Sequence, residues 1–551
     1  MNELSPWKRF FRLLSIERRD IMQIFYYAIF SGVLALTLPL GIQAIINLVQ
    51  GAQISSSWIV LVALVTVGVI FTGILQLMQL RIIETLQQRV FVRASFELCY
   101  RFPKIKMERL RNIYPPELAN RFFDTLTIQK GLSKILIDVP SALIQVLFAL
   151  ILLSFYHQLF IVFGIVLLLI IYFVFRYTAR KGLITSLEES KYKYKIAHWI
   201  QEVARAIVSF KLSGNTSLAL EKNDDLVHKY LTAREKHFGI IKIQFIKMIG
   251  FKAIITAGLL LIGGILVLNQ QINIGQFVAA EIIILLVINS VEKLILGLET
   301  LYDMLTSIEK LGQVVDLELE DQEGETISYE NGFSLELENV DLEIMSLDRP
   351  VLSKINLNLT SASRISIEGR NGSGKSSLLK VIAGVITPTA GQIYINEFNL
   401  EAIQLNAYRS KLGLALTDEV PFEGTLRENL IFENSSHRDS EILELVNRLN
   451  LSDFLKELPK GLSTMLSAEG RQMSESVVKK LILARAILKK PKLLILENAL
   501  EQVDEKERRT IIDFITDKKN PWGLVVVSKD SYWKNYCKES YVLNKGVSSR
   551  N

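Results

Sequence analysis

The stretch SRISIEGRNGSGKSSLLKVIAG, residues 363–384, reads as a strand, a glycine-rich turn and a helix in immediate succession. Ile365 and Ile367 alternate with polar neighbours up to Gly369, the period of a strand. The spacing G-x-x-x-x-G-K-S follows from Gly369 without a break, and SLLKVIAG then turns helical. A strand before this motif and a helix after it are what make it a phosphate-binding loop. The backbone N–H groups from Asn371 to Ser376 form an anion nest at a helix N-terminus. Gly372 and Gly374 keep side chains away from the phosphates. The expected ATP-binding set is Arg370, Asn371, Gly372, Ser373, Gly374, Lys375, Ser376 and Ser377. Lys375 reaches the β- and γ-phosphates, and the Ser376 hydroxyl ligates Mg²⁺.

Upstream of the loop the composition changes character. At 551 residues the chain is too long for one domain, and half of it is hydrophobic. The mean hydropathy is +0.28, high for a soluble protein. From Ile21 to Leu80 there is no Asp, Glu, Lys or Arg. A membrane-spanning helix needs about 20 apolar residues, so this stretch holds two, with a polar turn at 50–57. A second pair lies within Val139–Phe175, and a third at Phe251–Leu268 and Phe277–Leu296. Six spans in three hairpins are expected. The short connections, at 50–57, 156–158 and 269–276, contain no Lys or Arg. The long ones, 81–138 and 176–250, are dense in them, including Arg81, Arg89, Arg93, Lys191, Lys195 and Arg205. The positive-inside rule puts the long segments in the cytoplasm. They keep a helical period, as extensions of the spans.

Residues 1–20 are basic and amphipathic, and Pro6–Ile16 reads as a helix at a membrane surface. His157 falls in an outer turn as a solvated histidine. Glu281 interrupts the sixth span, where an ionisable group faces a water-filled interior or a subunit interface; Glu292 and Lys293 read as structural. Cys99 and Cys537 are isolated and show no metal spacing. The acidic stretch DLELEDQEGETISYE, 316–330, is followed by short strands and helices, beginning with the alternating SLELENVDLEI. The expected division is an amphipathic segment 1–20, a six-helix transmembrane domain 21–310, a linker 311–330 and an α/β P-loop nucleotide-binding domain 331–551. A multi-pass membrane protein with no nucleic-acid partner is expected.

Six spans with long cytosolic extensions, followed on one chain by this phosphate loop, resemble an ABC transporter of the exporter type, over about residues 15–547. Further motifs carry the resemblance: LGLALTDEVPFEGTLRENL (412–430), LPKGLSTMLSAEGRQMSESVVKKLILARAILKKPKLLILENALEQVD (458–504) and VVVSKD (525–530). The resemblance implies a half-transporter of the inner membrane with its nucleotide-binding domain in the cytoplasm. It implies ATP and Mg²⁺ as cofactors and dimerisation with a second half-transporter, as homodimer or heterodimer, in the lipid bilayer. A periplasmic adaptor is a further partner of such exporters. Pro39–Pro103 resembles exporters of peptides and proteins, and lipids or small hydrophobic compounds stay open as substrates.

The same resemblance makes departures visible. The Q-loop glutamine position is Thr417, and no Gln occurs between Gln404 and Gln472. The signature LSGGQ reads MSESV; Ser474 remains, and Glu475 stands where a glycine faces the partner's ATP. In LLILENAL the metal-side Asp is Glu497 and the catalytic Glu is Asn498; the switch histidine is Lys529. The adenine-stacking aromatic is Ile344, and the D-loop EQVD keeps only Asp504. An amide positions a water but does not take its proton, and losing a general base costs about 10²–10⁴ in rate. Glu475 near an anionic γ-phosphate adds repulsion of roughly 1–4 kcal/mol. No catalytic residue is assigned; Ser376 and Glu497 are the metal candidates. Three readings stay open: a subunit that binds ATP and hydrolyses it slowly or not at all, a fully active pump in which a group such as Glu501 or Asp418 replaces the base, and a non-transporting regulator.

Overall fold

The computed structural model describes residues 5–50, 56–111, 113–330, 332–344, 349–432 and 437–550, with backbone alone for 173–180. Most of the turn expected at 50–57 lies outside the described residues. The chain forms two compact units. The first comprises 1–104 and 112–317, and the second 105–111 and 318–551.

The first unit is helical. Its principal helices are Pro6–Ile16, Arg18–Ala35, Thr37–Gln50, Ser56–Arg101, Asp124–Ser154, Gln158–Arg205, Leu218–Leu268 and Ile274–Val315. Five segments are long and apolar enough to cross a membrane: Arg18–Gln50, Ser56–Lys104, Pro115–Ser154, Leu218–Leu268 and Ile274–Val315. Gln158–Tyr172 is a shorter apolar stretch at the start of its helix. Thus five of the expected six spans meet the length criterion among the described residues. Ser56–Arg101 runs from apolar into basic sequence as one helix. Its Ile59, Leu64, Ile70, Phe71 and Leu77 are exposed, the surface that lipid covers in a membrane protein.

Asn273 caps the last long helix with a reciprocal Asn273–Gln276 capping box. Inside the unit, Val146, Leu153, Phe160, Met248, Phe251 and Ile283 share one core. Polar contacts fix register where the helices meet: Gln244 donates to the Tyr302 hydroxyl at 2.9 Å, and Ser307 to Asp124 at 3.2 Å. Lys252 pairs with Glu292 at 2.7 Å, which gives Glu292 a structural partner. His157 caps the helix that begins at Gln158. The helix Pro6–Ile16 has Pro at its first turn and Ser5 as its cap. Buried Phe10 and the pairs of Arg9 with Glu309 (3.2 Å) and Asp316 (2.5 Å) fix it against Ile274–Val315.

The second unit is α/β. A six-stranded sheet runs in the order Val547–Arg550, Glu539–Asn544, Arg364–Gly369, Gly523–Val527, Leu493–Glu497, Leu412–Ala415. Its central strands are parallel. Every residue of Leu493–Glu497 and of Gly523–Val527 is buried, as parallel strands covered on both faces require. A smaller antiparallel sheet contains Ser334–Leu342 and Leu352–Thr360. The segment 105–111 joins this unit through a bridge from Ile105 to Leu319 and through Lys106 and Arg109 on Glu318. Glu108 also accepts the Thr387 N–H at 2.7 Å.

Candidate functional site

The strand Arg364–Gly369 ends where the parallel sheet opens, and the helix Lys375–Ile382 starts six residues later. Carboxyl ends of parallel strands are the common ligand position in such sheets. The turn between needs left-handed backbone: Gly372 has φ +76° and Gly374 φ +102°. A Cβ on Gly374 would lie 2.6 Å from the Val351 carbonyl oxygen. Lys375 folds back over the loop, donating to the Gly369 and Arg370 carbonyls at 2.8 and 2.9 Å. Burial pulls its ammonium below its ordinary pKa, Glu497 opposes that and Lys529 adds to it. An arriving phosphate would restore the cation's lost solvation.

A cavity of about 440 Å³ opens beside the loop, and Asn371, Gly372, Gly374, Lys375, Ser376 and Ser377 line it with Glu497 and Asn498. Arg370 and Ser373 are not among its walls. Arg370 contributes its carbonyl to Lys375, and Ser373 is buried with its hydroxyl unpaired. Ile344 lines the cavity, where the resemblance placed the adenine-stacking position. Arg349, Val351 and Lys545 also line it. Sequence reading passed over these three because they come from separate segments with no motif of their own.

At the metal position the Ser376 hydroxyl donates to a Glu497 carboxylate oxygen. The other oxygen accepts the Thr417 N–H at 3.3 Å. A hydroxyl and a carboxylate side by side form a hard-oxygen pair suited to Mg²⁺, an ion that keeps several waters and takes few protein ligands. The residues present therefore fit the ion.

Asn498 adopts a left-handed conformation, φ +48°, a region that Asn tolerates. Its N–H donates to Val527 O at 2.8 Å and its side-chain amide reaches the Thr417 hydroxyl at 3.5 Å. Thr417 donates that hydroxyl to the Glu497 carbonyl at 3.3 Å. The buried Lys479 donates to the Thr417 carbonyl at 2.7 Å. Lys479 was not singled out in the sequence; the available signal was a lysine on the apolar face of ESVVKKLILARAIL. A second cavity, about 330 Å³, shares Asn371, Lys375 and Asn498 with the first and adds Lys529 and Lys534. The structure thus gathers Lys375, Ser376, Glu497, Asn498, Thr417 and Lys529 in one neighbourhood.

Ser474 and Glu475 line neither cavity. Ser474 caps the helix Glu475–Leu488, accepting from Val477 at 3.4 Å, and Glu475 is exposed in the first turn. Asp504 stands at the N-cap position of the helix Glu505–Thr516 and makes no side-chain capping bond. His437 pairs with Glu441 at 2.7 Å and lines neither cavity.

Residues 352–501 match the family model described as ABC transporter. The fold is similar to that of a bacterial Atm1-family ABC exporter with ATP bound, at a TM-score of 0.86 and 15% identity, covering 98% of this chain and 95% of that one. The chain carries an ABC transporter domain on an ABC exporter fold. In sequence it is 32% identical over 178 residues to ABC transporter B family member 21 of Arabidopsis thaliana, covering 32% of this chain and 14% of the relative. It is 27% identical over 274 residues to the alpha-hemolysin translocation ATP-binding protein HlyB of Escherichia coli O157:H7, covering 50% of this chain and 39% of the relative. The matched segments span well under two thirds of either relative. Five apolar helices long enough to cross a membrane, on this exporter fold, support a multi-pass membrane protein.

Proposed function

We propose that this chain is the ATP-binding half of a dimeric exporter in which nucleotide binding, more than hydrolysis, sets the conformation. The carrying observation is Asn498, an amide at the general-base position that is already engaged with Thr417. The two acids that could replace the base are engaged as well. Glu501 accepts the Lys529 N–H at 3.1 Å, and Asp418 pairs with Lys380 at 2.6 Å. Lys375 and the loop amides bind the phosphates. Ser376 and Glu497 would hold Mg²⁺, which would supply positive charge against the phosphates when bound.

In this reading the six spans, Gln158–Phe175 included, sit in the inner membrane, and the long basic segments and the nucleotide-binding domain are cytoplasmic. The division of the chain follows 1–20, 21–310, 311–330 and 331–551. A second half-transporter supplies the face opposite each ATP, and Ser474 and Glu475 point to the partner's nucleotide. ATP then shifts the population between two arrangements of the dimer through its differential affinity for them. A periplasmic adaptor is the further partner if the cargo is exported from the cell.

The test is equilibrium ATP binding beside steady-state phosphate release from the full chain in lipid nanodiscs. Saturable binding with turnover about 10²–10⁴ below that of a restored catalytic set is expected. Fast turnover that Lys375→Ala abolishes would overturn the reading.

A further inference from the structure

The first unit contains a cavity of about 530 Å³ walled by Arg121, Lys191, Lys195, Lys222, Lys310 and Trp199. None of these residues belongs to the phosphate loop. Lys191 and Lys195 are one helical turn apart on Gln158–Arg205, so their side chains share a face. Among the described residues, the carboxylates in the wall are Glu117 and Glu202. Glu202 is held by Arg205 at 2.7 Å, and Glu117 is divided between His198 at 3.2 Å and Arg121 at 3.7 Å. Cations outnumber the anions available to them.

Arg121 shows most directly what is missing. Its guanidinium stacks on the Tyr194 ring at 4.0 Å, which fixes the plane of the group. Its Nε and Nη1 are buried and make no hydrogen bond. The Tyr194 hydroxyl itself donates to Asp124. Lys222 lies over Trp199 at 4.1 Å, and the indole N–H is taken by the Ala219 carbonyl at 3.0 Å. A buried guanidinium with orphan donors is costly unless an anion completes it. Several oxygens on one charged centre match the guanidinium fork, and the surrounding lysines act as point charges on the same group.

We propose that this cavity binds a phosphate-bearing anion, carried either by a soluble phosphorylated compound or by an anionic lipid headgroup. The ligand seats its phosphate among Arg121, Lys195, Lys222 and Lys310. This site is independent of the nucleotide reading and stands or falls separately from it.

The experiment is amine-reactive labelling of the full chain in phosphatidylcholine nanodiscs, read by peptide mass spectrometry with and without pyrophosphate. Labelling of Lys191, Lys195, Lys222 and Lys310 should slow by about tenfold at saturation, while Lys229 and Lys236 stay unchanged. A second arm replaces pyrophosphate by phosphatidylglycerol in the disc. Protection there alone assigns the headgroup, and protection by pyrophosphate assigns a soluble ligand. Arg121→Gln should weaken protection by about tenfold in ligand concentration; if that variant does not fold, Lys195→Gln carries the comparison. Absence of protection in both arms, equal protection at Lys229 and Lys236, or protection undiminished in the folded variant overturns the proposal.

Discussion

The Ser376 hydroxyl is hydrogen-bonded directly to the Glu497 carboxylate, which is only 4% exposed. The extra methylene of Glu, relative to Asp, carries the carboxylate onto the hydroxyl that should share a cation with it. The hydroxyl keeps its lone pairs while it donates, so Mg²⁺ would have to fit around that contact. Glu497→Asp should withdraw the oxygen and raise the advantage of Mg²⁺ over EDTA in ATP affinity by about tenfold. Calorimetric titration of both proteins, with and without the metal, decides it. An unchanged ratio would mean that the methylene does not matter.

Lys375 is not the only cation beside the loop, since Arg349 and Lys545 line the same cavity. Lys375→Ala should lower ATP affinity at least about tenfold, or about 1.4 kcal/mol, without abolishing it. Adding Arg349→Ala should remove most of what is left. Full affinity in the single variant would reject the phosphate-loop assignment.

Lys479 is 7% exposed and spends its charge on one carbonyl, that of Thr417. Lys479→Met keeps the volume and leaves the carbonyl without its donor, a loss of about 1–3 kcal/mol. A midpoint lower by about 2–4 °C per kcal/mol is expected in thermal unfolding of the solubilised chain. A variant as stable as the parent would show that water takes over the carbonyl.

Glu318 titrates under the influence of Lys106 and Arg109, whose hydrogen bonds hold its carboxyl down at about 2. The folded value lies below the ordinary one, so the stabilisation is complete above the unfolded pKa and lost as pH falls towards about 2. Amide exchange of 105–111, corrected for intrinsic rates, should rise across that window. Glu318→Gln should flatten the response, and added salt should shrink it because the groups are exposed. Identical pH profiles for both proteins would remove Glu318 from the docking of this segment.

What sequence could supply was local. The phosphate loop lies within one strand–turn–helix, and the uncharged runs announce their helices by length alone. The Ser376–Glu497–Thr417 network was half legible, because each residue sat at a family position while the contacts among them did not. Ile105 bridging Leu319 was not legible at all, because a strand-like pair between distant segments carries no periodic signal. Lys479 looked like one charge in a basic run and became a buried donor only when its helix packed against Leu412–Ala415. The orphan nitrogens of Arg121 likewise show only once its guanidinium lies over the Tyr194 ring.

The network also says how the chemistry should respond to repair. Asn498→Glu alone places a carboxylate beside Thr417, but in the proposed dimer Lys529 still stands at the switch position and Glu475 still faces the partner's nucleotide. Its effect on phosphate release should be small. Restoring Gln at 417, Gly at 475 and 476, Gln at 477, Asp at 497, Glu at 498 and His at 529 together should raise turnover far beyond the product of the single effects. Non-additivity of this kind is the mark of groups that act as one unit. Phosphate release from the parent, each single variant and the combined variant, all in one lipid, measures it. If the single changes multiply to the combined value, the positions act independently and slow turnover has another origin.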